Sequence, residues 1–229
     1  MGQVGDYVFE PIEETVDQEP PALTPHPVIA VVSAAPRSGT TTVARLLAAE
    51  LASRADRSAI VTSPSATRRT APPSRAASRV ATALAGVADA QPCGRLCIAH
   101  VRAGAADPAG SAAPEIARIV NAARYLAPVV LDLPADGSGA GVAAIAERVA
   151  VVAAATSEPA LLDAVAAVSG GDALKVVNRL TDPTEWTERA DTSLPESRIA
   201  VHAAAMGTRP LGPLGSAIAE LADALGVPR

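Results

Sequence analysis

Aromatic side chains are almost missing from this chain: Tyr7, Phe9, Tyr125 and Trp186 are the only four in 229 residues. Single-stranded nucleic acid is held largely by stacking on such rings, so that mode of binding is unsupported. Lysine is scarcer still. Lys175 stands alone among nineteen basic residues, the rest being arginines, and this reads as coding bias rather than function. The net charge of −5 argues against a general nucleic-acid binder. Cys93 and Cys97 are too few for a disulfide framework. No apolar run reaches the length of a transmembrane helix, and the N-terminus is acidic where a signal peptide is basic. Met1-Gly2 opens like a myristoylation motif, but Asp6 stands where Ser or Thr is required. These absences lead to the expectation of a soluble, cytoplasmic protein.

What the chain does have is Ala, Val, Leu and Ile, and 49% of it is apolar. Alanine favours helix and short Val/Ile runs favour buried strands, so helices packed closely on a sheet are expected. The length suits one α/β domain. Residues 1–27 stand apart, with six acids (Asp6, Glu10, Glu13, Glu14, Asp17, Glu19), no Lys or Arg, and several prolines. That composition marks an acidic, Pro-rich tail ahead of a domain over 28–229. Tyr7-Val8-Phe9 carries half of the aromatics, which suggests that the tail packs on its own domain or docks a partner.

Strand and helix signals alternate from residue 28. Val28–Val32 is a continuous apolar run, as in a strand buried on both faces. After a turn at Gly39, Val43, Leu46, Leu47 and Leu51 recur at helical spacing to about Arg54. Further strands are predicted at 59–61, 96–101, 128–132, 149–153, 174–178 and 198–202. Residues 64–79 read as a loop, and helices are marked by Val80/Leu84/Val87, by Ile116/Ile119/Val120/Ala123, by Leu161/Leu162/Val165/Val168 and by Leu214/Ile218/Leu221/Leu225. This alternation predicts a doubly wound α/β fold, a mostly parallel seven-stranded sheet with helices on both faces. Ligands in such folds lie beyond the carboxyl ends of the strands.

Ser33–Thr42 (S-A-A-P-R-S-G-T-T-T) occupies the first such position. A phosphate loop works through backbone N–H groups and a helix N-terminus converging on anionic oxygens. Against the pattern G-x-x-x-x-G-K-[ST], Gly39 falls on the second glycine, Ala34 on the first, Thr40 on the lysine and Thr41 on the magnesium-binding hydroxyl. Taken alone, the loop reads equally well as an N-cap with polar residues in the first turn of a helix.

The order of motifs adds to this. Val28–Leu47 resembles the deviant Walker A region of the ParA/MinD ATPases, P-loop proteins of the SIMIBI class, especially the pilus-assembly branch that includes CpaE and TadZ. Tyr125–Pro134 resembles the family's Walker B strand with Asp132 as its acid. Thr156-Ser157-Glu158-Pro159 resembles its Thr-x-Glu-Pro segment. Val176-Val177-Asn178-Arg179 resembles the strand whose Asn-Arg pair contacts adenine, and Gly207–Leu211 with the last helix completes the pattern over 28–226.

The resemblance implies a P-loop NTPase-like fold, ATP or ADP with magnesium as ligand, a homodimer and a protein partner. It implies a nucleotide site at Arg37, Ser38, Gly39, Thr40, Thr41, Thr42, Asn178 and Arg179, with Thr41 and Asp132 at the metal. The departures weigh on mechanism. The signature lysine falls at Ala35, the phosphate lysine at Thr40, and the acids after the second strand at Ser63 and Ser65. Phosphoryl transfer depends on positioning and charge neutralisation, which these changes remove. The expected function is therefore a degenerate ParA/MinD-like localisation or scaffold factor, a pseudo-ATPase binding nucleotide weakly or not at all. The alternative is an active ATPase whose Arg37 substitutes for lysine. Arg37 is either a phosphate ligand or a solvated arginine, Asp132 a metal acid or a strand-end cap, and Asn178 a base contact or a turn residue.

Other candidates are weaker. Cys93-x3-Cys97 with His100 lacks zinc spacing and a second ligand pair, so core packing is expected. His202 reads as a structural polar residue. Arg68, Arg69, Arg75 and Arg79 form a basic cluster that reads first as a charged flexible loop, and that could otherwise touch DNA, an acidic partner or the chain's own acidic tail. The basic membrane helix that ends MinD proteins has no counterpart in Gly226–Arg229, so no membrane anchor is expected. No nucleophile–base pair supports a small-molecule enzyme.

Overall fold

A computed structural model describes residues 24–62, 71–101, 112–133, 142–170, 172–180, 186 and 188–227. Most of the acidic tail, Ser63, Ser65, Arg68, Arg69 and Pro134 lie outside the described residues.

The strands are β1 (Val28–Ser33), β2 (Ser58–Thr62), β3 (Asp89–Cys93), β4 (Leu96–His100), β5 (Val129–Leu133), β6 (Arg148–Ala154), β7 (Leu174–Leu180) and β8 (Thr192–Pro195). Among the described residues they form one eight-stranded sheet in the order β3-β4-β2-β5-β1-β6-β7-β8, with only the β3–β4 pair antiparallel. The helices are α1 (Thr40–Ala55), α2 (Arg75–Leu84), α3 (Ala113–Ala123), α4 (Pro159–Ser169), α5 (Ala200–Met206) and α6 (Gly212–Ala224).

Two cores explain the continuous apolar runs. Along β1, Val28, Ala30 and Val32 enter one core with α2, α3 and α4, while Ile29 and Val31 enter the other with α1, α5 and α6. Alternate side chains thus meet apolar partners on both faces, which a parallel sheet covered twice requires. β1 lies between β5 and β6, with the chain departing from it in both directions, so its carboxyl end is the switch point of the sheet.

The doubly wound architecture agrees with the sequence reading, but the sheet has eight strands rather than seven. The strand predicted at 198–202 is replaced by the turn into α5 and its first residues, since the alanine-rich run Ala203–Ala205 that follows favours helix and is buried in it. The edge strand on that side is Thr192–Pro195 instead. At the opposite edge β3 is Asp-Ala-Gln-Pro-Cys, a polar run that an edge tolerates because Pro92 need not donate to a second neighbour. The predicted loop over 64–79 ends early, since Ser74 caps α2 by accepting a hydrogen bond from Ala77 N at 3.1 Å.

Cys97 and Cys93 are buried on β4 and β3, in line with core packing, and burial pushes the Cys97 thiol up to about 12. His202 is exposed on α5.

α1 is tied to α6 by charge as well as by apolar contact. Arg54 donates to Glu50 Oε1 (3.0 Å), Asp223 Oδ1 (2.8 Å), Val227 O (2.8 Å) and Ala219 O (3.0 Å). Arg209 reaches the other oxygen of Glu50 at 2.6 Å, and the Glu50 side chain is 3% exposed. Removing Arg54 leaves a buried carboxylate short of its main partner. Arg54→Met is expected to cost about 3–5 kcal/mol, much of it recovered when Glu50→Leu is added. Urea unfolding measures both; a wild-type midpoint for the single variant would contradict this account.

Candidate functional site

The turn from β1 to α1 is stiffened by its serines. Ser38 Oγ donates to Ala35 O at 2.5 Å and accepts from Ala35 N at 3.2 Å, while Ser33 Oγ donates to the same carbonyl at 2.7 Å. Ala34 N is held by Val152 O of β6 at 2.9 Å. The path then needs two left-handed residues, Arg37 with φ 64° and Gly39 with φ 81°. At Gly39 glycine is required twice over, since a Cβ there would also stand 2.3 Å from Asn178 Nδ2.

Asn178 and Arg179 end β7 directly over this turn. Asn178 Nδ2 donates to Ser38 O at 2.9 Å, and Arg179 donates to Arg37 O. The structure thus brings these two residues to the loop, where they hold its carbonyls. The Arg37 side chain is exposed.

α1 begins without a side-chain cap among the described residues. Its first N–H groups are the kind of donors that anions engage. Thr40 is buried, and its Oγ1 has no hydrogen-bond partner among the described residues. Thr42 is half-buried. A rigid turn, a bare helix N-terminus and an orphan hydroxyl fit a phosphate group in shape. Ala35 and Thr40 give this part of the turn no positive charge.

Thr41 and Asp132 come together across α1 and β5. Thr41 Oγ1 donates to Asp132 Oδ1 at 3.2 Å, and Thr62 Oγ1, at the end of β2, donates to Oδ2 at 2.8 Å. A carboxylate beside a hydroxyl is a hard-oxygen donor set that suits magnesium. Thr62 was not foreseen, although it stands opposite Asp132 in the parallel register of β2 and β5. Arg45 was also missed. It lies one turn after Thr41, is 4% exposed, and its Nε has no hydrogen-bond partner among the described residues. Helical spacing from Thr41 was the available signal.

No protein-family model matches this chain, and no curated protein matches it in sequence. Solved structures do match in shape. A ParA family ATPase from Chlorobium tepidum is similar with a TM-score of 0.61 and 14% identity, covering 86% of this chain and 98% of its own. MinD in the MinC:MinD cell division complex of Aquifex aeolicus gives 0.58 and 16%, covering 89% and 97%. A McdA variant from Cyanothece in complex with ATP gives 0.58 and 14%, covering 90% and 98%. At these identities the likeness is one of fold: the chain has the fold of the ParA/MinD ATPases. Among the described residues, no helix is long and apolar enough to cross a membrane.

Burial pushes the Asp132 carboxyl above its ordinary range, against the opposing hydrogen bonds of Thr62 and Thr41 and the positive field of Arg45. The folded state therefore holds this proton more tightly than the unfolded chain does. Its contribution to stability is greatest below the ordinary value of 3.8 and declines as pH rises through the folded value. Asp132→Asn lacks this titration, so the variant should gain stability relative to wild type as pH is raised from acid to neutral. Urea midpoints across that range test it, and a pH-independent difference would contradict it.

Proposed function

We propose that the chain is a degenerate ParA/MinD-like protein, a localisation or scaffold factor that binds nucleotide weakly or not at all. The observation that carries this reading is Thr40. It stands at the lysine position of the loop, neutral, with its hydroxyl buried and without a hydrogen-bond partner among the described residues. The helix N-terminus remains, but its dipole is equivalent to only about half a charge, against several on a nucleotide triphosphate.

If ATP or ADP binds, backbone groups of Ser38–Thr42 would hold phosphate, with Asn178 and Arg179 bordering the loop. Thr41 and Asp132 would hold magnesium, which supplies charge neutralisation at the phosphates. A solved relative in fold is bound to ATP, and another is in complex with MinC. By that analogy the working partner is a protein, with homodimerisation as in the family that the sequence resembles.

Calorimetry on wild type beside Thr40→Lys tests the reading. A charge-assisted contact contributes about 1.5–3 kcal/mol, so the variant should gain roughly tenfold or more in Mg-ATP affinity. Micromolar binding with steady turnover by wild type would sink the proposal.

The retained Thr41–Asp132 pair favours one second reading, an ATPase working on a lysine-free loop with Arg37 as its cation. That reading expects hydrolysis by wild type and its loss in both Asp132→Ala and Arg37→Ala. Equal rates in wild type and either variant would remove it.

A further inference from the structure

Three of the described arginines, Arg57, Arg75 and Arg79, come together at the end of the sheet opposite the loop. Asp56 and Arg57 lead into β2, and Tyr125 and Leu126 precede β5, so they sit at the amino ends of these parallel strands. Together with Arg75 and Arg79 from the start of α2 they line a cavity of about 370 Å³. Arg57 is fixed on its wall, with Nε donating to Leu126 O at 2.6 Å. Arg75 and Arg79 lie one turn apart and are exposed, and the Tyr125 ring is 49% exposed at the rim. Three guanidiniums therefore stand against one carboxylate, in a cavity that also has the apolar surface of Val80. Such a site suits an acidic peptide, because guanidiniums pair with carboxylates in a directional way and arginine stems cover apolar groups.

The chain carries such a peptide and brings it to this rim. His26 N donates to Arg124 O at 2.7 Å, one residue from Tyr125. Burial and the nearby charge of Arg57 hold the His26 imidazole below its ordinary range, in keeping with that position. His26, through which the preceding stretch is covalently attached, therefore lies beside the cavity. That stretch holds Asp6, Glu10, Glu13, Glu14, Asp17 and Glu19 and no Lys or Arg. Glu14 and Asp17 are within ten residues of Thr24, a separation that an extended chain covers at about 3.3 Å per residue. Tethering makes the encounter intramolecular, at an effective concentration on the order of millimolar.

We propose that the acidic segment Glu10–Glu19 docks in the arginine cavity formed by Arg57, Arg75, Arg79 and Tyr125, so that this face is covered by the chain's own N-terminal segment. The interaction is independent of the nucleotide loop, which lies at the other end of the sheet. It also leaves the cavity open to exchange: an acidic partner peptide would compete with the segment for the same guanidiniums.

Limited proteolysis of the full chain with a protease that cuts after Asp and Glu tests this, scored at Asp17 inside the segment, because Glu10 and Glu19 each precede a proline and resist cleavage. Docking should slow cleavage, and Arg75→Glu/Arg79→Glu should raise the rate roughly tenfold, equivalent to about 1.4 kcal/mol. Both positions are exposed, and an acid at Arg75 suits the first turn of α2, so the variant should fold; its urea midpoint checks this. About 0.5 M salt should release the segment in wild type, because exposed charges are then screened. Adding Glu13→Arg/Glu14→Arg to the reversed variant should restore protection. Equal cleavage of wild type and the reversed variant at low salt would overturn the proposal, as would wild-type cleavage as fast as that of the isolated peptide 1–23.

Discussion

The burial of α1 is the constraint on which the rest of the candidate site depends. Eleven of its sixteen residues are buried, so the helix cannot slide or rotate without disturbing the core it shares with β1, β5, α5 and α6. Its N-terminus is consequently held at one place relative to the carboxyl ends of β1, β2 and β5. Thr41 can meet Asp132, and Asp132 can meet Thr62, because three separately folded elements are registered by that packing. A buried helix must also settle its charges. Glu50 does so with Arg54 and Arg209 near the far end, whereas Arg45 lies in the field of Asp132 near the site. Polar interactions therefore mark both ends of the helix, and apolar packing fills the length between.

The sequence made the central strands legible because their burial is uniform. Val28–Val32 and Val129–Leu131 have no polar interruption, and no surface strand or loop would need such runs. The edges were less legible for the converse reason. β3 alternates between exposed and half-buried positions and contains Pro92, so it carries no apolar signature. Residues 198–202 read as a strand because their two branched apolar residues, Ile199 and Val201, suggest one; both are exposed, and the neighbouring alanines decide for helix. At the site, motif order located the turn and Asp132. It could not supply Thr62, whose meaning lies in a cross-strand register, or Arg45, whose meaning lies in its burial.

Asn178 and Arg179 show how a residue can be found by position while its bonding stays invisible. The sequence reads the pair as a contact to the base, with Asn178 alternatively a turn residue. In the fold they donate to carbonyls of Ser38 and Arg37, which turns the end of β7 into a brace for the loop. The brace acts on backbone acceptors of the turn, the carbonyls of Ser38 and Arg37. Shape and charge are thereby separable in this loop: its left-handed residues, serine bonds and brace preserve the path of the chain, and none of them depends on a lysine.

That separation bears on where this molecule can hold anions. Backbone N–H groups give directional but weakly charged binding, and they act only at short range. Guanidiniums carry full charge, attract from farther away and lose strength as salt rises. The carboxyl end of the sheet has the first kind of donor, with Arg45 buried behind it, and the amino end has the second kind in Arg57, Arg75 and Arg79. A ligand at the first end must fit closely to gain much, whereas one at the second needs mainly negative charge and reach. The acidic stretch before His26 meets the second requirement by composition and by its point of attachment. Ligands at the two ends, as proposed, would therefore not compete, one being selected by shape and the other by charge.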